Sequence, residues 1–251
     1  MRALSPRPLI AAVGFLTSVP VPRRSAAEDT DLLAGATLFP LVGAVLGALV
    51  GGTAALLTPA LPALLAATLA VALELALTGA LHADALADSA DGLGGRDRDH
   101  ALAIMRDHSI GAYGAAALML DLLAKTAALA ALAEHDAVLP VVAAYAVSRA
   151  APLPLAAALP YARSGEGVGR LLAQRFRKRS ALAGVALAGM VAVAATGPAE
   201  AGATIVCLVL TVATAGALAR RRIRGVTGDV MGAATELTAT LGLVVAVGLA
   251  A

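Results

Sequence analysis

The chain has 251 residues, 59% of them hydrophobic and 14% charged, with a formal net charge of +2 and a mean hydropathy of +0.84. Soluble domains average roughly 45–50% apolar and about 25% charged, so the composition excludes a disordered chain and argues against a water-soluble globule. The single cysteine, Cys207, excludes an intramolecular disulfide framework and a Cys-based zinc site, and so small a net charge with 3 Tyr, 3 Phe and no Trp excludes nucleic acid as the main partner.

At the N-terminus Arg2 and Arg7 precede or open the short apolar run around Leu9–Leu16. That is the look of a signal peptide, but Pro20, Pro22, Arg23 and Arg24 follow it, an unfavourable flank for export. We read a retained interfacial or re-entrant helix. A membrane-crossing helix needs about 20 mostly apolar residues. Gly35–Leu57 qualifies without a charge, Leu61–Leu81 apart from Glu74, Gly111–Ala133 apart from Asp121 and Lys125, and Ala137–Leu159 apart from Arg149. Ala181–Thr196 and Ala199–Ala219 follow, separated by Gly197-Pro198, and the last run, Leu237–Ala251, is short enough to span only in part. Backbone groups in hydrocarbon need internal partners, so these runs are helices. The expected fold is all-α, a polytopic transmembrane helical bundle of about seven spanning or partly spanning helices plus the N-terminal one. Residues 1–251 then form a single integral-membrane catalytic domain. Gly43, Gly47 and Gly51, at i, i+4 and i+8, are expected to let helices pack closely.

The connections alternate in charge. Of 19 basic residues, 15 lie in the stretches 22–34, 82–110, 160–180 and 220–236, and none in 58–60, 134–136 or 197–198. By the positive-inside rule the four basic stretches face the cytoplasm, which predicts a multi-pass protein of the cell (cytoplasmic) membrane with its polar mass on that side.

The densest acidic segment runs from His82 through Asp84, Asp88 and Asp91 to Gly92, Gly94, Gly95 and Arg96. Asp84, Asp88 and Asp91, at i, i+4 and i+7, fall within roughly a 60° arc of one helix face, on a helix expected to leave the bilayer as a continuation of Leu61–Leu81. Two carboxylates about 6 Å apart repel by roughly 3 kcal/mol at an effective dielectric near 20, and the intervening Ala, Leu and Ser offer no neutralising charge. A hard divalent cation takes oxygen ligands, and Mg²⁺ typically one or two carboxylates plus substrate phosphates. The alternative is a solvated helix end. His82 and His100 are weaker ligand candidates, because their spacing is no zinc pattern. The glycines end the helix and allow close approach of an anionic ligand, and Arg96 and Arg98 stand ready for phosphate.

Further along, Ile104-Met105-Arg106-Asp107-His108-Ser109-Ile110-Gly111-Ala112-Tyr113-Gly114 is expected to re-enter the membrane. Asp107 is either a further oxygen ligand or, like Ser109, a helix N-cap. Charges inside spans are functional candidates by default. Asp121 and Lys125 are placed to neutralise each other, Arg149 has no local acid and precedes the helix-breaking Pro152 and Pro154, and Glu74 is placed to meet a polar part of a ligand or Arg149. The cluster Arg220-Arg221-Arg222-Ile223-Arg224 reads as an anchor for anionic lipid. After it, Gly225-Val226-Thr227-Gly228-Asp229 makes a turn, and Asp229 and Glu236 share a helix face seven residues apart, expected on the cytoplasmic side with the other acids. Together these segments point to a Mg²⁺–diphosphate site built from several helices.

The segments Phe15-Leu16-Thr17, Phe39-Pro40-Leu41-Val42-Gly43, Leu77-Thr78-Gly79-Ala80-Leu81-His82 through Asp91-Gly92-Leu93-Gly94-Gly95, Ile104-Met105-Arg106-Asp107, Pro160-Tyr161-Ala162-Arg163 and Thr227-Gly228-Asp229 resemble the cobalamin synthase family, the adenosylcobinamide-GDP ribazoletransferases. The His82/Asp84/Asp88/Asp91 block is the most specific of them. Ala83 and Ala85 depart from the Leu and Gly usual there, and His108-Ser109 from a Ser-Arg pair. The resemblance implies that a ribazole hydroxyl attacks the phosphate nearest cobinamide in adenosylcobinamide-GDP and releases GMP, with Mg²⁺ as cofactor. The partners are then adenosylcobinamide-GDP, α-ribazole or its 5′-phosphate, and membrane lipid, with a homo-oligomer left open. On this reading Asp84, Asp88 and Asp91 are catalytic and metal-binding, and Asp107, Asp229 and Glu236 are further metal ligands. His82, Gly92, Gly95, Arg96, Arg106, Lys125, Arg149, Thr227 and Gly228 contact substrate. Two rivals are weaker. A CDP-alcohol phosphotransferase shares Asp88-x2-Asp91-Gly92-x2-Gly95-Arg96 but needs a later glycine and two aspartates that are missing at their spacing. A secondary transporter would concentrate its charges at the midplane.

Overall fold

The computed structural model describes residues 5–21, 29–107, 109–164 and 168–250; Arg2, Pro22, Arg23, Arg24 and His108 lie outside them. The described chain forms thirteen helices: α1 (Arg7–Leu16), α2 (Asp29–Ala36), α3 (Phe39–Leu57), α4 (Ala63–Thr78), α5 (Leu81–Leu93), α6 (Arg98–Ile104), α7 (Ala112–Ala133), α8 (Val138–Ser148), α9 (Pro152–Ala158), α10 (Val168–Arg175), α11 (Lys178–Thr196), α12 (Pro198–Arg222) and α13 (Gly228–Ala250). Among the described residues there is no β-strand, only an isolated parallel bridge between Tyr161 and Val226. Six helical stretches are long and apolar enough to cross a membrane, with α8 and α9 together making one of them, and α4 with α5 forms a bent pair that gives a seventh. The chain is a multi-pass membrane protein with an all-α bundle. The helix α1, 10 residues long, is too short to cross and packs on α2 and α3.

The glycines of α3 are there for contact. A Cβ on Gly43 would run into the Tyr145 carbonyl, one on Gly47 would lie 2.8 Å from the Val141 carbonyl oxygen, and one on Gly51 would lie 3.0 Å from Val141 Cβ. The bare stripe therefore seats α8 directly on α3, and backbone proximity gives the dispersion contacts that hold helices together in lipid.

Two elements differ from the sequence expectation. The acidic helix does not continue the preceding span. Gly79 and Ala80 both have left-handed backbone, φ 60° and 56°, and α5 turns 88° away from α4. An L-residue pays for that conformation, and the turn lays α5 along α13, where Gly232 lets Ala85 approach. The last helix is not a partial span either. It begins at Gly228 and runs 23 residues, because its polar residues Thr235, Glu236, Thr238 and Thr240 are buried against protein and need no aqueous loop.

At one end of the bundle the basic connections are knitted together. Ala162 N–H donates to Val226 O at 2.9 Å and Val226 N–H to Pro160 O at 2.8 Å. Arg98 donates to Ile223 O at 3.0 Å and Ala162 O at 2.7 Å, and Arg222 to Leu93 O at 2.6 Å and Gly95 O at 2.9 Å. The stretches 93–98, 160–164 and 222–228 thus form one polar cap.

Candidate active site

Beneath this cap α5 presents Asp84 exposed and Asp88 and Asp91 half-buried. Facing them is Asp229, in the first turn of α13. The four carboxylates share one field: Asp88 is repelled by Asp84, Asp229 and Asp91 and attracted by Arg163, and Asp229 is repelled by Asp84. Among the described residues no ion pair reaches Asp84 or Asp88. Asp229 accepts a charge-assisted hydrogen bond of 2.6 Å from Arg163 Nη2, which also donates to Met105 O at 3.2 Å. Thr227 caps the start of α13, its Oγ1 accepting from Val230 N–H at 3.3 Å and donating to Asp229 Oδ2 at 3.3 Å.

Asp84 and Asp229 line a cleft of about 190 Å³ with His82, Gly228, Thr235 and Arg149. Ligand pockets usually run about 300–1,000 Å³, so this cleft admits a small part of a large substrate. Its walls are apolar where Phe15, Phe39, Pro152 and Leu172 contribute. Arg149 is fully buried. Its Nη1 donates to Ser148 Oγ at 2.9 Å and its Nη2 lies 3.6 Å from Glu74 Oε1, while Nε and Nη2 have no hydrogen-bond partner. Buried donors without acceptors cost about 1–3 kcal/mol each.

Other acids are committed elsewhere. Asp91 accepts from Gly111 N–H at 2.7 Å and Gly114 N–H at 2.8 Å, so both its oxygens cap α7. Asp107 and Ser109 do not cap α7; Asp107 Oδ1 accepts from Ser109 N–H at 3.0 Å in a local turn. Glu236 does not face the cap with the other acids. It is buried and ion-paired to Lys125, which also meets Glu74 Oε2 at 3.2 Å and Asp121 Oδ2 at 4.0 Å. Tyr145 donates to the same Glu74 oxygen at 2.7 Å, and Thr240 donates to Asp121 at 2.7 Å. Lys125 is thus the centre of a buried network, and Asp121 is its most distant partner.

The remaining candidates separate in the same way. Gly92 and Gly95 make room for α6, since a Cβ on Gly92 would enter the Met105 side chain and one on Gly95 would lie 2.8 Å from Ala101 backbone; packing accounts for both. His100 is exposed and its Nδ1 accepts from Arg96 N–H at 3.2 Å. The Arg96 side chain is exposed and lines neither the cleft nor the neighbouring pocket of Arg98, Arg106 and Arg163. The sequence does not single out Arg163, although it ends the Pro160-Tyr161-Ala162-Arg163 segment.

Among the described residues no three His, Cys, Asp or Glu side chains sit close enough to hold one ion by themselves. The set Asp84, Asp88 and Asp229 is all-oxygen, electrostatically repulsive and next to a buried guanidinium. It fits a hard cation that is completed by substrate phosphate and water, and it does not fit an all-protein cage.

The family model described as cobalamin-5-phosphate synthase matches residues 8–247. Relatives named adenosylcobinamide-GDP ribazoletransferase include one from Azorhizobium caulinodans, 43% identical over 242 residues that cover 90% of each chain. Another, from Leptothrix cholodnii, is 37% identical over 235 residues, 90% of this chain and 89% of the relative. A third, from Ralstonia pickettii, is 38% identical over 237 residues, 91% and 90% of the two chains. No solved structure matches.

Proposed function

The chain belongs to the cobalamin-5-phosphate synthase family, and from that premise we propose that it transfers the cobinamide phosphate of adenosylcobinamide-GDP to α-ribazole or its 5′-phosphate. A ribazole hydroxyl attacks the phosphorus nearest cobinamide. The bond from that phosphorus to GMP breaks, and the hydroxyl proton passes to a carboxylate and on to water. The site faces the cytoplasm, where the basic connections of the chain are gathered.

The observation that carries this reading is that Asp84 and Asp229 line one cleft with the buried, incompletely bonded guanidinium of Arg149, and that Asp88 lies in the field of both carboxylates. One or two of the Asp84, Asp88 and Asp229 carboxylates, together with substrate phosphate, would hold Mg²⁺, which when bound neutralises charge on the diphosphate and the leaving phosphate. Arg163 fixes the orientation of Asp229. Arg149 supplies donors fixed in advance to a phosphoryl oxygen, and fixed donors lose no reorganisation energy during reaction. Asp88, without an ion-pair partner, is placed to accept the hydroxyl proton. Asp91 ties α5 to α7 and keeps the carboxylate face in register.

The experiment supplies purified protein with adenosylcobinamide-GDP and α-ribazole and follows GMP and corrinoid product by mass spectrometry. Mg²⁺-dependent release of one GMP per product is expected. No GMP release with Mg²⁺ present would overturn the reading.

A further inference from the structure

Across the wall formed by Arg163 lies a second pocket, of about 380 Å³, lined by Arg98, Asp99, Leu102, Arg106, Ala162 and Arg163 among others. We propose that it is the subsite for the guanosine monophosphate leaving group; this rests on the transfer reaction proposed above. Three observations carry it.

The first is charge. The cleft under the cap holds two carboxylates, Asp84 and Asp229, whereas this pocket gathers three guanidinium groups around one acid, Asp99, which pairs with Arg98 at 3.2 Å. A phosphate monoester gains charge as it departs. The three guanidinium groups of the basic side draw it.

The second is preparation. Each guanidinium carries five N–H donors. Arg98 is held by Ile223 O and Ala162 O, and Arg106 by Ser164 O at 3.2 Å. These bonds aim the planes and, among the described residues, leave donors unspent. A guanidinium also stacks on a flat heteroaromatic ring, and Leu102 adds an apolar wall for the base.

The third is connection. Arg163 Nη2 bonds Asp229 on the cleft side while its side chain lines the pocket. A diphosphate passing beside Arg163 would place the transferred phosphorus among the carboxylates and the nucleotide beyond them.

Equilibrium dialysis of labelled GMP against the purified full chain, with no other substrate, tests the subsite directly. Wild type is expected to bind GMP, and Arg106→Gln, which loses a charged donor while the Arg98 contacts remain, to bind it about tenfold more weakly. In turnover the same variant should show about tenfold weaker inhibition by GMP with an unchanged KM for α-ribazole. Equal GMP binding by wild type and Arg106→Gln, no binding by wild type, or displacement by equimolar inorganic phosphate would each overturn the subsite. Turnover by wild type alongside any of those results would leave the transfer reaction standing. Absence of turnover with GMP binding that depends on Arg106 would remove the reaction and keep the nucleotide pocket.

Discussion

The Asp91 carboxylate accepts the Gly114 N–H at 2.8 Å, joining the last turn of α5 to the first turn of α7. Its other oxygen takes Gly111 N–H at 2.7 Å, and a Cβ on Gly114 would enter the carboxylate. An N-terminal cap of this kind contributes about 0.5–2 kcal/mol, and a carboxylate there also complements the helix dipole. Asp91→Asn is therefore expected to lower thermal stability and turnover while leaving the Mg²⁺ concentration for half-maximal activity unchanged. A large rise in that concentration would return Asp91 to the metal set.

Arg163 serves two acceptors with one nitrogen, Asp229 and the Met105 carbonyl, and the flat guanidinium extends from there to the neighbouring pocket. A lysine ammonium cannot reproduce that reach. Arg163→Lys is expected to lower kcat/KM by about tenfold or more, the effect of one charge-assisted hydrogen bond, with the protein still folded. Wild-type kinetics in Arg163→Lys would show that only the positive charge matters.

Arg149 is fully buried, and among the described residues its Nε and Nη2 have no hydrogen-bond partner. Arg149→Lys keeps the charge opposite Glu74 and removes the extra donors. We expect binding of the diphosphate substrate to weaken by about tenfold while the melting temperature moves little. Unchanged substrate binding would assign Arg149 to the buried network alone.

Lys125 binds Glu74 and Glu236 with its side chain wholly shielded. Removing one partner of a buried ion pair typically costs about 3–5 kcal/mol, because the other charges stay buried and uncompensated. Lys125→Met is expected to lose a correspondingly large part of its stability, read as thermal denaturation in detergent. Wild-type stability would mean that the carboxylates do not depend on the lysine.

Much of this arrangement is legible in the sequence, and the failures have specific causes. Span positions follow from apolar length, and the Asp84/Asp88/Asp91 face follows from helical period. The turn at Gly79-Ala80 does not, because nothing marks an alanine for a left-handed conformation. Asp229 and Glu236 do share a face, but seven residues along a helix is about 10 Å. That distance takes Glu236 from the cap to Lys125, and a spacing argument gives angle without depth. The commitment of Asp91 to α7 and the approach of Arg163 to Asp229 both join segments distant in sequence, through backbone amides and loop-to-loop bonds that no local pattern encodes. At Gly92 and Gly95 the sequence alone does not separate ligand approach from helix packing, because a glycine looks the same whether it admits a ligand or a neighbouring helix.

The central claim is that the acidic face of Asp84, Asp88 and Asp229 supplies one or two carboxylates to a divalent cation shared with the substrate diphosphate. Mn²⁺ suits the same oxygen ligands as Mg²⁺, so its electron paramagnetic resonance signal in the presence of adenosylcobinamide-GDP reports the site directly. Wild type and Asp91→Asn are expected to bind Mn²⁺ alike, and Asp88→Asn and Asp229→Asn to lose that binding while remaining inserted and folded. Undiminished Mn²⁺ binding in both Asp88→Asn and Asp229→Asn would contradict the account.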